Sequence, residues 1–234
     1  MSKLRVIDVK RGVLDANDAA ADELRADLHR RGTFLVNLMS SPGAGKTTTL
    51  VRTIAALRDQ LDIAVMEADI DSDVDTRTVL DAGVPAIQLH TGGMCHLDAG
   101  MTRLGLTELQ AHLAELPERA GLADPELVFL ENVGNLVCPA EFDTGASANA
   151  MILSVPEGDD KPLKYPLMFQ VCDVVLVNKI DVLPYFDFDL ARFEENVRLR
   201  NPKAQVIPIC AKTGEGMDAW YQWLTSKVSA WRSA

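Results

Sequence analysis

No apolar run in this sequence approaches the roughly 18–20 residues that span a bilayer. Its first ten residues, "MSKLRVIDVK", carry no apolar core of the kind that drives secretion. Together these absences exclude a membrane partner from the expected function and place the expected location in the cytoplasm. Positive charge is also short: 23 Lys and Arg stand against 34 Asp and Glu, a formal net charge of −11. That balance argues against a nucleic-acid backbone as the principal partner. It leaves nucleotide binding open, because local backbone dipoles can hold phosphates in an acidic protein. Cysteine is scarce, with four in the chain. In a cytosolic setting four cysteines read as free, metal-bound or core rather than as a disulfide framework. No internal repeat, low-complexity tract or domain boundary is visible.

What is present is ordinary globular composition, 47% hydrophobic and 24% charged over 234 residues, enough for one large domain with a buried core. Short β-branched and apolar runs recur at 33–39, 62–68, 85–90, 126–132, 148–155, 173–179 and 204–210. Helical patterns lie between them, at 13–31 (ended by Gly32), after the Gly-rich turn from Lys46, at 73–82, 97–116, and in parts of 185–200 and 215–231. Strands alternating with helices predict an α/β fold with a mainly parallel, doubly wound sheet and helices on both faces. Residues 1–32 are expected to form a helical segment packed on a domain covering 33–234.

The turn after the first strand reads "SSPGAGKTTT". It fits the P-loop pattern G-x-x-x-x-G-K-[ST] at Gly45, Lys46 and Thr47, with Ser40 where the first glycine belongs. Gly43, Ala44, Gly45, Lys46, Thr47 and Thr48 are therefore candidate nucleotide-binding residues. Their backbone N–H groups and the following helix dipole suit phosphate. Lys46 is placed to reach the β- and γ-phosphates and Thr47 to bind Mg²⁺. Farther on, "NKID" ends a hydrophobic strand. A carboxylate there can accept from both N1–H and the 2-amino group of guanine. With adenine, a buried Asp181 would be left unpaired, and that selects GTP and GDP. Asn178 and Lys179 would support base and loop, and Ala211 and Lys212 of "CAKTG" follow the last strand as a base loop does. Two acidic residues end strands at the same expected edge: Asp69 in "MEADIDSD" and Glu131 in "FLENVG". With Lys46 they are the catalytic candidates, and with Thr47 the Mg²⁺ candidates; Asp71, Asp73 and Asp75 read as solvated charge.

"HTGGMCHLDAG" sets Cys95 beside His96 behind two glycines. Neighbouring side chains diverge on a helix or strand but can converge in a turn. Both are ligands for zinc, nickel or copper. Cys138, in the loop "GNLVCPAEFD" seven residues after Glu131, supplies a third. Cys172 reads as core and Cys210 as packing near the nucleotide. His29, His90 and His112 read as surface or strand-end residues.

Four segments, "SSPGAGKTT", "VPAIQLHTGGMCHLDAG", "LVFLENVGNLVCPAEFD" and "VNKIDVLPY", together resemble the HypB family, GTPases that serve nickel insertion into [NiFe] hydrogenase. The resemblance runs from about residue 30 to 225. It separates the chain from the urease GTPase UreG, whose metal motif is Cys-Pro-His. It implies a homodimeric GTP-hydrolysing metallochaperone using GTP/GDP, Mg²⁺ and Ni²⁺ or Zn²⁺, with metal ligands matching Cys95, His96 and Cys138. It also implies a nickel-delivery partner protein and a hydrogenase large-subunit precursor as partners. Two departures stand out. The Cys-rich motif and His-rich tract near the N-terminus of some relatives are absent, so no high-affinity N-terminal nickel site is expected. Gly100 stands where some relatives carry a histidine. UreG-like urease maturation, or a metal-sensing switch that binds GTP without hydrolysing it, are the alternatives.

Overall fold

The computed structural model describes residues 9–69, 74–119 and 121–234. The elements run α1 (Val9–Arg31), β1 (Phe34–Ser40), α2 (Lys46–Leu57), β2 (Ile63–Asp69), α3 (Val74–Asp81), β3 (Ala86–His90), α4 (Ala99–Glu115), β4 (Leu127–Glu131), α5 (Cys138–Glu141), β5 (Ala148–Ser154), α6 (Lys161–Lys164), α7 (Pro166–Gln170), β6 (Val174–Asn178), α8 (Leu190–Arg200), β7 (Gln205–Pro208) and α9 (Met217–Ser233). The seven strands form one sheet in the order β3-β2-β4-β1-β5-β6-β7. Every pairing is parallel, so all strands end at one edge. Ligands in such sheets bind at that edge, where the strand order reverses. Here that point is β1, flanked by β4 and β5.

All seven residues of β1 are buried, because both faces of a parallel sheet are covered. Phe34, Val36 and Leu38 point to one face, against Leu50 and Ile54 of α2 and Trp220 and Leu224 of α9. Leu35 points to the other, with Leu24 and Leu28 of α1 and Leu106 and Leu109 of α4. Met39 joins a neighbouring cluster with Met168 and Phe169 of α7 and Phe193 and Val197 of α8. The first helix is thus part of the core of the sheet. Trp231 near the C-terminus seals it, donating from Nε1 to Thr33 O at 2.9 Å and meeting His29 edge-on at 4.8 Å.

Two features differ from the sequence expectation. Cys138 does not lie in an irregular loop but opens the single helical turn α5, with Pro139 in the first turn where its missing N–H costs nothing. Residues 161–170 form two short helices, each with a proline in its first turn. Four- and five-residue helices are too short to display a 3.6-residue period. Asp71 and Asp73 lie outside the described residues, as does the side chain of Asp75.

Candidate nucleotide site and metal centre

The turn between β1 and α2 is held from below by the base motif. Asn178 Nδ2 donates to Ala44 O at 2.9 Å, and Lys179 Nζ donates to Gly43 O at 2.7 Å. The Gly43 and Ala44 carbonyls are thereby engaged by the base motif, while Ala44 N donates to Ser41 O at 3.4 Å within the loop. Gly45 has φ 99°, and a Cβ there would sit 2.4 Å from Asn178 Nδ2, so glycine is required by both conformation and space. Asn178 Oδ1 accepts from Lys179 N at 2.8 Å and Ala211 N at 3.0 Å. One amide therefore fastens phosphate loop, base motif and base loop together. Lys179 has φ 64° and is the one non-glycine with positive φ among the described residues, a conformation that clusters at ligand sites.

Ser40, in place of the pattern's first glycine, is fully buried. Its hydroxyl donates to Ser41 O at 2.6 Å and accepts from Lys46 Nζ at 3.1 Å. The departure from the motif thus gives the lysine a resting partner. Thr47 Oγ1 donates to Glu131 Oε1 at 3.1 Å. Glu131 ends β4 and is buried; Asp69 ends β2 and is half-buried. The hydroxyl and carboxylate oxygens are hard donors, which fit Mg²⁺. Thr48 and Lys212 are exposed beside them. Asp181 departs from expectation: it is exposed, not buried. It borders a cavity of about 300 Å³ with Gly45, Thr48, Asn178, Cys210 and Lys212. Its Oδ1 accepts from the Cys210 thiol at 3.2 Å. The dry surroundings that sharpen base choice must come from the base itself. Cys210 is buried beside this pocket, and Cys172 is core, its thiol donating to Met168 O at 2.8 Å. Burial pushes the Cys172 thiol well above its ordinary value.

Glycine geometry accounts for the neighbouring Cys95 and His96. Gly92 and Gly93 have φ 63° and 93°, which only mirror-image turns demand. Met94 N closes the turn onto Thr91 O at 3.3 Å. The chain emerges with the donor atoms of Cys95, His96 and Cys138 all within 4.8 Å of one another. Two thiolates on one tetrahedral zinc stand about 3.8 Å apart, given a Zn–S bond of about 2.3 Å. A spread of no more than 4.8 Å therefore lies within about an ångström of what one ion requires. The His96 ring stacks on Phe142 at 4.0 Å, and its Nδ1 is buried without a hydrogen-bond partner. An orphaned imidazole nitrogen beside two thiols fits a borderline-soft cation. The Cys138 thiol is held above its ordinary value, first by the Cys95 thiol and then by burial. A bound cation reverses that balance. Gly100 lies in the first turn of α4 and has no donor to add. His29 and His112 are half-buried and His90 is exposed.

Sequence reasoning did not find Asn132, Glu157 or Asn17. Asn132 is buried and donates to Asn37 Oδ1 at 3.0 Å, while its Oδ1 accepts from Val133 N at 2.9 Å. Glu157 accepts from the Ser41 hydroxyl of the phosphate loop and, at 2.8 Å, from Ser154 N. The Ser154–Glu157 spacing is a capping box and could have flagged Glu157. The bonds of Asn132 to Asn37, of Glu157 to Ser41 and of Asn17 to Ala99 and Asp143 cross the fold, where no local spacing announces them.

A phosphate loop and a soft-donor cluster at one sheet edge define a P-loop nucleotide-binding protein that also handles metal. Residues 34–208 match the family CobW/HypB/UreG, nucleotide-binding domain. The hydrogenase maturation factor HypB of Rhizobium leguminosarum bv. viciae is 45% identical over 234 residues, covering 100% of this chain and 74% of that protein. That of Escherichia coli strain K12 is 44% identical over 230 residues, covering 98% and 76%. The crystal structure of HypB from Helicobacter pylori in complex with nickel superposes with a TM-score of 0.82 at 34% identity, over 92% of this chain and 96% of that one. The chain belongs to the HypB family of hydrogenase maturation factors.

Proposed function

We propose that this chain is a GTP-hydrolysing metallochaperone that delivers nickel during [NiFe] hydrogenase maturation, with the GTP state coupled to metal release from Cys95, His96 and Cys138. It acts as a cytoplasmic homodimer, receives nickel from a delivery partner and serves a hydrogenase large-subunit precursor. The observation that carries the reading is the three-donor cluster on segments that leave the same sheet edge as the phosphate loop.

Gly43 to Thr48 hold the phosphates with backbone N–H groups at the start of α2, and Lys46 leaves Ser40 to lie against the β- and γ-oxygens. Asp181 reads the guanine edge; Asn178, Lys179, Ala211 and Lys212 frame the base. Thr47, Asp69 and Glu131 hold Mg²⁺ or orient the attacking water. An Mg²⁺ held by Thr47, Asp69 and Glu131 would neutralise the charge that develops on the transferred phosphate. Coupling runs through the segment after β4. A Cβ on Gly134 would meet Pro42 Cγ at 3.2 Å and Pro42 N at 3.3 Å, so this segment rests directly on the phosphate loop. Cys138 follows four residues later, within about 14 Å even when fully extended. A small displacement at Pro42 is thus felt at one of three metal donors.

Calorimetry of Ni²⁺ and Zn²⁺ binding, with GDP and with a non-hydrolysable GTP analogue, tests the reading. Coupling of the usual size changes affinity by about 5- to 150-fold between the two states. Equal affinities overturn the coupled release. Absence of steady GTP turnover in the full chain favours a non-catalytic switch instead.

A further inference from the structure

The two donor-bearing segments leave the sheet from β3 and β4, which β2 separates. Among the described residues no backbone hydrogen bond joins residues 91–98 to residues 132–143. Their spacing is therefore set by side chains. One link is the His96–Phe142 stack. Another comes from α1, a helix that carries none of the three metal donors. Asn17 Oδ1 accepts from Ala99 N at 3.0 Å, and Asn17 Nδ2 donates to Asp143 O at 2.9 Å. Ala99 stands three residues after His96 and opens α4; Asp143 stands five residues after Cys138.

The Ala99 N–H is one of the donors that a helix start leaves unpaired. Asp98, the local cap, takes Met101 N at 2.8 Å. The buried Ala99 N–H is left to Asn17. The other end of the bridge is fixed in turn. Arg25, about two turns along α1, forks onto both Asp143 carboxylate oxygens at 2.8 and 2.7 Å and donates from Nε to Ala146 O at 2.9 Å. We propose that Asn17 is a positioning residue of the metal site: its amide bridges the Cys95–His96 segment to the Cys138 segment and sets the distance between their donors. The inference rests on the metal-binding reading above. The chemistry demands an amide. One neutral planar group must accept on one side and donate on the other. A carboxylate accepts only, and a methyl does neither.

The test uses the full chain with Asn17→Asp and Asn17→Ala. Three properties are measured: Zn²⁺ affinity by chelator competition, affinity for a GTP analogue without metal, and the rate at which phenylarsine oxide bridges the Cys95 and Cys138 thiols. The last needs no metal, and Cys172 and Cys210 are buried away from the reagent. Groups that orient metal ligands change affinity by about 10- to 100-fold when removed. Both variants should lose at least about ten-fold in Zn²⁺ affinity and bridge more slowly, with GTP-analogue affinity unchanged. Asn17→Asp is decisive, because aspartate still accepts from Ala99 N but sets oxygen against Asp143 O. If Asn17→Asp matches the wild type in Zn²⁺ affinity and bridging rate, Asn17 only caps α4 and the proposal is wrong. If the wild type binds no Zn²⁺, the metal reading fails, while the bridging rates still decide whether Asn17 sets the spacing.

Discussion

Asn178 and Asp181 lie three residues apart and do separable work. The Asn178 amide makes its three hydrogen bonds within the protein, to Ala44, Lys179 and Ala211. Losing it leaves buried backbone groups unsatisfied, at roughly 1–3 kcal/mol each. Asn178→Ala should therefore lower the melting temperature and weaken GTP and XTP alike, as competition binding would reveal. Among the described residues the Asp181 side chain hydrogen-bonds to Cys210, and it borders the cavity. Asp181→Asn should keep stability and exchange the preference for guanine for xanthine, whose carbonyl accepts from an amide. A mutant that still selects GTP over XTP refutes the assignment. Both residues are legible in "NKID", because a strand-ending carboxylate has a defined partner in guanine. The exposure of Asp181 was not legible, since burial at a strand end depends on which loops fold over it. Asn17 was illegible for a different reason: "DANDAAADEL" is an ordinary helical stretch, and nothing in its period distinguishes a tertiary cap from a solvated amide.

At the level of elements, strand runs were readable because each is apolar, short and bounded by turn residues, and β1 to β7 fall within a few residues of their expected limits. The helical turn α5 was not, since four residues carry no period. In the proposed function it carries one metal donor, Cys138, just beyond the segment that rests on the phosphate loop. Gly134 lets the preceding segment lie on Pro42, and a Cβ at 3.2–3.4 Å from three Pro42 atoms, two of them backbone, forces the phosphate loop to yield by a few tenths of an ångström. Gly134→Ala should thus alter the GTP-to-GDP affinity ratio while leaving the melting temperature within a few degrees. Gly134→Val, with a branched side chain against the same backbone, should alter it further. Fluorescent-nucleotide titration checks this. An unchanged ratio in both variants would show that the segment does not sense the phosphate loop through Pro42.

Across the whole molecule, the all-parallel sheet places β1, β3, β4 and β6 with their C-terminal ends at one edge, so nucleotide and metal donors share one side of a rigid core. A packed sheet transmits displacement poorly by bending; what can move are the loops that rest on one another at that edge. Linkage then makes a demand that metal affinity alone does not exhaust. If GTP and GDP differ in their effect on metal, metal must change the ratio of GTP to GDP affinity by the same factor. Saturating Zn²⁺ or Ni²⁺ should therefore shift that ratio in wild-type protein by the factor that calorimetry finds for metal, about 5- to 150-fold for coupling of ordinary strength. Cys138→Ala should abolish the shift and keep the metal-free affinities for both nucleotides, because Cys138 touches neither Lys46 nor Asn178 in the hydrogen-bond network of the phosphate loop. Loss of one of three donors should also weaken metal binding severely, with Cys95 and His96 left as a two-donor site. Should Cys138→Ala bind metal as tightly as the wild type, the three-donor site is wrong. Should it bind weakly yet still shift the nucleotide ratio when metal is forced on, then coupling travels through the Cys95–His96 segment rather than through α5.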